Sequence, residues 1–246
     1  MRIALISDIH ANLPALEACL AAAGRLQAER FAFLGDFVGY GPDPEAVVAR
    51  VHPLVEAGAI AVLGNHDLAA LKPTKDMNAT AAQAIAWTRK QLSAESTSFL
   101  AGLPFEVRSG DVLFVHADAS DPAAWNYVTD AETARGSIEG CPAMVTFCGH
   151  VHVPAVYCLS ATGKMIAHRP AQDVDIPLLA QRKWLAVLGS AGQPRDGNPA
   201  ASFAMYDTEA RTLTYHRAPY DVESVAQRIR ALGLPDSLAD RLLKGR

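Results

Sequence analysis

The sequence predicts an α/β domain whose first strands run parallel. Three features carry that expectation: the size and composition of the chain, a strand–helix alternation over its first third, and ligand-type residues that recur where strands end. With 246 residues, 50% hydrophobic and 20% charged, the chain is long enough to bury a substantial core and has a globular rather than a disordered make-up. The formal net charge of -4 leaves no chain-wide basic footprint for nucleic-acid phosphates, so no nucleic-acid partner is expected. Apolar runs are strand-sized and too short to span a bilayer, so no membrane partner is expected either. The opening run Met1-Arg2-Ile3-Ala4-Leu5-Ile6 meets Ser7 and Asp8 too soon for a signal peptide. Cys19, Cys141, Cys148 and Cys158 lack metal-type spacing such as C-x-x-C and read as reduced core thiols, which predicts a cytoplasmic protein.

The alternation is plain from the start of the chain. Residues 2–7 are an apolar run suited to a buried strand. Asn12 stands where a cap is wanted for a helix whose Leu13, Leu16, Leu20 and Ala23 recur every three or four positions. Residues 31–34 give a second strand, 44–55 a second helix and 60–63 a third strand. A β-α-β-α-β order implies parallel strands joined by crossover helices. Residues 78–92 predict another helix, and 105–108 with 112–115 flank Ser109-Gly110-Asp111 as a hairpin. Beyond it the chain is strand-rich, at 144–148, 153–159, 164–168, 184–188, 202–206 and 213–216. A last helix carries Val222, Val225, Ile229 and Leu232. No repeat, low-complexity tract or linker interrupts the chain, so residues 1–246 read as one domain with a helical tail near 221–246.

The third feature concerns chemistry. Asp8-Ile9-His10, Gly35-Asp36, Gly64-Asn65-His66-Asp67, His116 and Gly149-His150-Val151-His152 each follow a predicted strand, and they hold five of the eight histidines. Ligands of open α/β sheets collect at the carboxyl ends of parallel strands, so residues distant in sequence converge on one rim. Carboxylates and imidazoles suit first-row divalent metals, and one carboxylate can bridge two. Asp8 and His10, like His150 and His152, are two apart and point the same way if their segments are extended. Taken singly, each cluster has an ordinary reading: Gly-Asp is common turn chemistry, and His116 alone fits a core position as well as a ligand. As an ordered set they have no packing rationale.

That ordered set, D-x-H, G-D, G-N-H-[DE], H and G-H-x-H, resembles the calcineurin-like metallophosphoesterases over residues 1 to about 154. The resemblance implies a four-layer α/β/β/α sandwich of mixed sheets flanked by helices, with two divalent metal ions (Mn²⁺, Fe, Zn²⁺ or Ni²⁺) at its rim. It assigns Asp8, His10 and His152 to one metal, Asp36 to a bridge, and Asn65, His116 and His150 to the other. His66 is then not a ligand but a phosphate contact and general acid. Asp67 either orients a neighbour or serves as a cap.

Gly35-Asp36-Phe37-Val38-Gly39-Tyr40-Gly41-Pro42-Asp43-Pro44 and Gly192-Gln193-Pro194-Arg195-Asp196-Gly197 resemble the GDxVGYGPxP and GQPRDG stretches of a bacterial subgroup, often described as serine/threonine protein phosphatase-like or as phosphodiesterases. Three departures stand out. Val187-Leu188-Gly189-Ser190 replaces the subgroup's Asn-Pro-Gly-Ser, and Ala11-Asn12 follows the D-x-H where Gly-Asn is commoner. Gly39 and Tyr40 replace the Asp-Arg of the eukaryotic-type protein phosphatases, which removes their bidentate phosphate ligand. Arg195 is the candidate substitute, against a solvent-facing turn arginine. Tyr40 either lines the pocket or packs under its loop, and Asn12 either touches phosphate or caps its helix.

The reaction the resemblance implies is in-line attack of a metal-bridging hydroxide on a small phosphodiester or phosphomonoester, with His66 protonating the leaving group. Phosphoprotein and dinucleoside polyphosphate are the alternative substrates. A non-enzymatic scaffold on the same fold is expected to have lost ligands or the acid histidine, and this sequence retains them all.

Overall fold

The computed structural model of the chain describes residues 1–73 and 77–246. β1 (Arg2–Ile6) leads through α1 (Leu13–Arg25) to β2 (Arg30–Phe33), and α2 (Pro44–Glu56) leads to β3 (Ile60–Ala61). The three strands pair in parallel, as the alternation predicts. β1 is buried on both faces: Ala4 and Ile6 meet the helices while Ile3 and Leu5 meet the second sheet. That two-sided burial is why residues 2–7 read as a continuous apolar run rather than an alternating one.

Three helices follow, α3 (Asn65–Leu71), α4 (Ala79–Gln91) and α5 (Ala94–Ala101), and then the hairpin β4 (Glu106–Ser109) and β5 (Val112–Val115). After α6 (Ala131–Glu139) come β6 (Val145–Cys148), β7 (Ala155–Leu159), β8 (Met165–His168), β9 (Asp175–Pro177), β10 (Lys183–Val187), β11 (Ala201–Asp207) and β12 (Thr212–Ala218). The chain closes with α7 (Val222–Ala231) and α8 (Asp236–Lys244). One sheet runs β3-β2-β1-β11-β12-β9 and the other β4-β5-β6-β10-β7-β8. Both are mixed: β11 joins β1 antiparallel, with Leu5 opposite Ala204, whereas β5, β6 and β10 are parallel.

The layers follow from the apolar clusters. α1 and α2 cover the outer face of the first sheet around Leu16, Val47 and Phe33. The two sheets meet through Leu5, Phe114, Phe147 and Tyr206. α6 covers the outer face of the second sheet through Ala134 and Ile138. The result is the four-layer α/β/β/α sandwich of mixed sheets flanked by helices. Among the described residues no helix is long and apolar enough to cross a membrane.

Some expectations need correction. The strand expected at 60–63 is paired only over Ile60–Ala61 before the backbone turns toward α3. The last helix is two helices. Gly233, at φ +70°, ends α7, and Pro235 caps α8. Leu232, expected on the apolar face, is the C-cap and is 44% exposed. This pair packs Val225, Ile229 and Leu242 against Tyr40 and α4. Arg228 forms an ion pair with Asp43 at the start of α2, and Gly197 N–H donates to the Gly245 carbonyl at 2.8 Å. The helix α5 carries weak periodicity. α6 contains Gly136 and buries only Ala134, Ser137 and Ile138, and its start is fixed instead by a capping box between Asp130 and Thr133.

Candidate metal centre

Asp8, His10, Asp36, Asn65, His116, His150 and His152 converge at one end of the sandwich, with all but Asn65 buried. The first sheet supplies Asp8 and His10 after β1, Asp36 after β2, and Asn65 at the start of α3. The second sheet supplies His116 after β5 and the two histidines after β6. The backbone that carries them is not extended. Asp8, His10, Asp36, His150 and His152 hold φ of 53°, 48°, 54°, 66° and 64°, in the left-handed region that L residues avoid. The alternation expected for Asp8 with His10 and for His150 with His152 is therefore not what brings them together. Each side chain is turned inward by its own tight bend, held by cross-loop hydrogen bonds such as Asp8 N–H to Gly35 O at 3.1 Å and His10 N–H to Asp36 O at 2.9 Å. Strain of this kind, roughly 1–3 kcal/mol per residue, persists only where surrounding structure over-determines it.

Two glycines show how tightly the loops approach. A Cβ on Gly149 would collide with the Ser7 hydroxyl and the Asp8 carboxylate, and one on Gly64 with the backbone and carboxylate of Asp36. The carboxylates are then positioned by amides: His150 N–H donates to Asp8 Oδ2 at 3.0 Å, and His66 N–H to Asp36 Oδ1 at 2.8 Å.

The histidines share one arrangement. Each turns one ring nitrogen to a backbone carbonyl: His10 Nδ1 to Val38 at 3.3 Å, His116 Nδ1 to Leu34 at 2.7 Å, His150 Nε2 to Trp125 at 3.0 Å and His152 Nδ1 to Gln193 at 2.7 Å. A carbonyl only accepts, so that nitrogen carries the proton and the other presents a lone pair. Burial pushes all four imidazoles below their ordinary pKa, His150 to about 3, so they are neutral at pH 7. Their lone pairs nevertheless face one another, with His10 Nε2 3.1 Å from His152 Nε2 and His116 Nε2 3.2 Å from His150 Nδ1. Opposed lone pairs at that distance repel unless a cation lies between them. Two donors on one cation, with bonds of about 2.1 Å, sit roughly 3.0–3.4 Å apart, which matches the observed spacing.

Asp36 joins the two halves. Among the described residues its Oδ2 is buried without a hydrogen-bond partner, 3.6 Å from His10 Nε2 and 3.5 Å from His116 Nε2. Burial, and then the neighbouring Asp67 and Asp8, push its carboxyl well above the usual range. An orphaned buried oxygen among opposed lone pairs is costly for the protein alone and apt for cations. Asp8, His10 and His152 form one donor group and Asp36, His116 and His150 another, with the atoms of each within 4.8 Å of one another. Asn65 Oδ1 lies 3.1 Å from His116 Nε2, beside the second group. The buried Asp/His cluster thus fits divalent metal ions.

His66 is also at the cluster. One of its ring nitrogens falls within 4.8 Å of His10 and Asp36 donors, so the geometry offers it as a further donor, a role the sequence reading did not give it. Its Nδ1 is buried without a hydrogen-bond partner among the described residues, and its ring sits 4.4 Å from Tyr40 and 4.9 Å from His10. Asp67 does not reach it. Asp67 caps α3 through Gly64 N–H at 2.9 Å and accepts from Val38 N–H at 3.1 Å, which ties the Asp36 loop to α3. Tyr40, at φ +62°, is buried, its ring 4.6 Å from His10. The Arg195 guanidinium carbon stands 6.0 Å from the Tyr40 ring centre, with Nε buried and unpartnered among the described residues and Nη2 on Gln193 Oε1 at 3.1 Å.

Asn12 requires a correction. Its Oδ1 accepts from Ala15 N–H at 3.2 Å, and both amide hydrogens are committed, to Gly192 O at 2.9 Å and Tyr220 Oη at 3.0 Å. It is a helix cap and loop brace with no donor left for a phosphate. Ser190, in the segment that departs from the subgroup pattern, donates to Asp8 O at 2.7 Å and accepts from Gln193 N–H at 2.8 Å. The carbonyls of Leu34, Val38, Trp125 and Gln193 escaped sequence reading because a backbone acceptor has no residue-type signature. Tyr127 also escaped, although its ring stacks on His150 with centres 4.1 Å apart.

The chain is similar to known proteins over most of its length. The family model described as the calcineurin-like phosphoesterase superfamily domain matches residues 1–211. An uncharacterized protein of Methanocaldococcus jannaschii is 34% identical, over 99% of this chain and 98% of its own. The crystal structure of a metallophosphoesterase from Sphaerobacter thermophilus superposes with a TM-score of 0.88 at 37% identity, covering 100% of this chain and 99% of that one. A hypothetical protein from Pyrococcus horikoshii OT3 shares the fold, with a TM-score of 0.81 at 18% identity over 100% of this chain and 98% of its own.

Proposed function

The chain belongs to the calcineurin-like phosphoesterase superfamily and is a metal-dependent phosphoesterase, and from that premise we propose that it hydrolyses a small phosphodiester or phosphomonoester at two cations that share Asp36. The observation that carries the reading is Asp36 Oδ2, unpartnered and nearly equidistant, at 3.6 and 3.5 Å, from the inward nitrogens of His10 and His116. Asp8, His10 and His152 would hold one cation, and Asn65, His116 and His150 the other. Mn²⁺, Fe, Zn²⁺ and Ni²⁺ all accept such a nitrogen and oxygen set. Cations bound there supply Lewis-acid charge that acidifies water and neutralises phosphate oxygens.

The remaining steps belong to side chains. Carbonyl-locked imidazoles keep their lone pairs inward, so no ring has to flip before substrate binds. Arg195, with an unpartnered Nε, offers a guanidinium fork to the phosphate oxygens and sets orientation as a point charge does not. Tyr40 holds the His10 and His66 rings from one side. His66 passes a ring-nitrogen proton to the departing oxygen. Burial lowers its pKa, and a bound phosphate anion works against that lowering. Gly39 and Tyr40, in place of an Asp-Arg pair, favour a small ester over a phosphoprotein.

The test is a panel of mono- and diesters offered to protein whose metal content is measured before and after loading. Turnover that follows metal content and disappears in Asp36→Asn supports the reading. A loaded protein inert toward every ester would overturn it.

A further inference from the structure

Beyond the metal cluster, the same rim carries three aromatic side chains that the proposed chemistry does not use. Tyr127 is 53% exposed although its ring is stacked on His150, centres 4.1 Å apart at an interplanar angle of 20°. One face is thus covered by His150, and the exposed part is the opposite face and the edge. Trp125 lies edge-on to His116 at 5.7 Å, and Phe105, itself 38% exposed, lies 5.6 Å from Trp125. Tyr127 and Trp125 thus border the His150 and His116 side of the cluster, with Phe105 against Trp125.

The border is built rather than incidental. Trp125 adopts φ +55°, the left-handed strain seen at the cluster's own side chains, and its carbonyl receives the His150 ring. Asn126, between Trp125 and Tyr127, is tied to Asp118, two residues after His116. Phe105 follows Pro104, whose carbonyl accepts from Leu63 N–H at 2.8 Å, just before Gly64 and Asn65. Each ring is thus anchored to a segment that carries a cluster side chain. Large aromatic side chains gain most from burial, so holding two of them half open beside a phosphoester site leaves apolar faces for something to cover.

Resting on the phosphoesterase reading, we propose that Tyr127, backed by His150 and with Trp125 and Phe105 on the same border, is a stacking platform for a planar, π-rich group on the substrate, of the nucleobase kind. The phosphorus lies at the cations while the ring system lies on Tyr127. Stacking on an aromatic side chain contributes about 1–3 kcal/mol per base, or roughly 5–150-fold in affinity.

Adenosine monophosphate and ribose 5-phosphate separate the base from the phosphate, because they share phosphate and sugar. Both are titrated calorimetrically into the metal-loaded full chain, with hydrolysis of bis(p-nitrophenyl) phosphate measured on the same sample. The platform predicts that the nucleotide binds at least about fivefold tighter than the sugar phosphate. That preference should collapse to within about twofold in Tyr127→Leu and survive in Tyr127→Phe, which keeps the ring. Equal affinities in the unmodified protein, or a Tyr127→Leu chain that weakens both ligands alike, would overturn the platform. If hydrolysis persists in that case, the function stands without it. A chain that neither hydrolyses the diester nor binds either phosphate removes the function and the platform together.

Discussion

Replacing Asp36 by Asn should change stability in opposite directions with and without metal. With metal chelated, Asp36 Oδ2 is a buried carboxyl oxygen without a hydrogen-bond partner among the described residues, 3.6 and 3.5 Å from two imidazole nitrogens that present lone pairs. An amide of the same shape carries no charge and can turn its hydrogens toward those nitrogens. An unsatisfied buried polar group costs about 1–3 kcal/mol, so metal-free Asp36→Asn should be more stable than the unmodified chain by roughly that amount. For a chain of this size about 2–4 °C of Tm accompanies each kcal/mol, which gives an upward shift of about 2–12 °C. With metal the order reverses. A ligand at about 100 times its Kd contributes about 2.7 kcal/mol per site, so two occupied sites raise the unmodified chain by about 10–20 °C. The variant, lacking the shared carboxylate, should gain little. Thermal melts with chelator and with saturating Mn²⁺ read both halves of the experiment. A variant that melts lower than the unmodified chain under both conditions would refute the account of Asp36 as an oxygen waiting for cations.

Other perturbations bear on separate parts of the site. His66→Ala should retain metal and lose roughly 10²–10⁴-fold in kcat on an ester with a poor leaving group. A fall in bound metal would instead make His66 a ligand, as its proximity to His10 and Asp36 allows. Arg195→Ala should lower kcat/KM by roughly 10–150-fold, the range for losing a hydrogen bond to a charged group, and Arg195→Lys should restore little of it. Gly149→Ala, which drives a methyl group into Ser7 and Asp8, should lower stability by about 1–3 kcal/mol or more and reduce metal content, read by melting and elemental analysis.

The positions of the cluster could be read from the sequence because their residue types carry the signal: carboxylates and imidazoles after apolar runs are conspicuous. The manner of their convergence could not. Spacing suggested extended segments for Asp8 with His10 and His150 with His152, whereas the loops bend at each of those residues into a conformation that no side-chain type announces. The partners that fix the imidazoles are carbonyls of Leu34, Val38, Trp125 and Gln193, identical in every residue and so invisible in a string of letters. Asn12 shows the reverse difficulty. Its amide suits a phosphate, but Gly192 and Tyr220, far away in sequence, occupy it. Among the elements, α1 and β1 are strongly patterned because they face a large core. α6 buries only Ala134, Ser137 and Ile138 and is written mainly in its cap.

The two donor groups each draw on both sheets: Asp8 and His10 meet His152, and Asp36 meets His116 and His150. A cation in either group is therefore a rivet through the end of the sandwich. Apolar contact between two sheets resists separation well but resists sliding only through the interlocking of side chains, and a pair of rivets at one end would block that sliding. Force applied along the strands should then meet a stiff edge at the metal end and a softer one at the other. Each sheet supplies two of the three donors of one group and one of the other, so neither sheet alone completes a group.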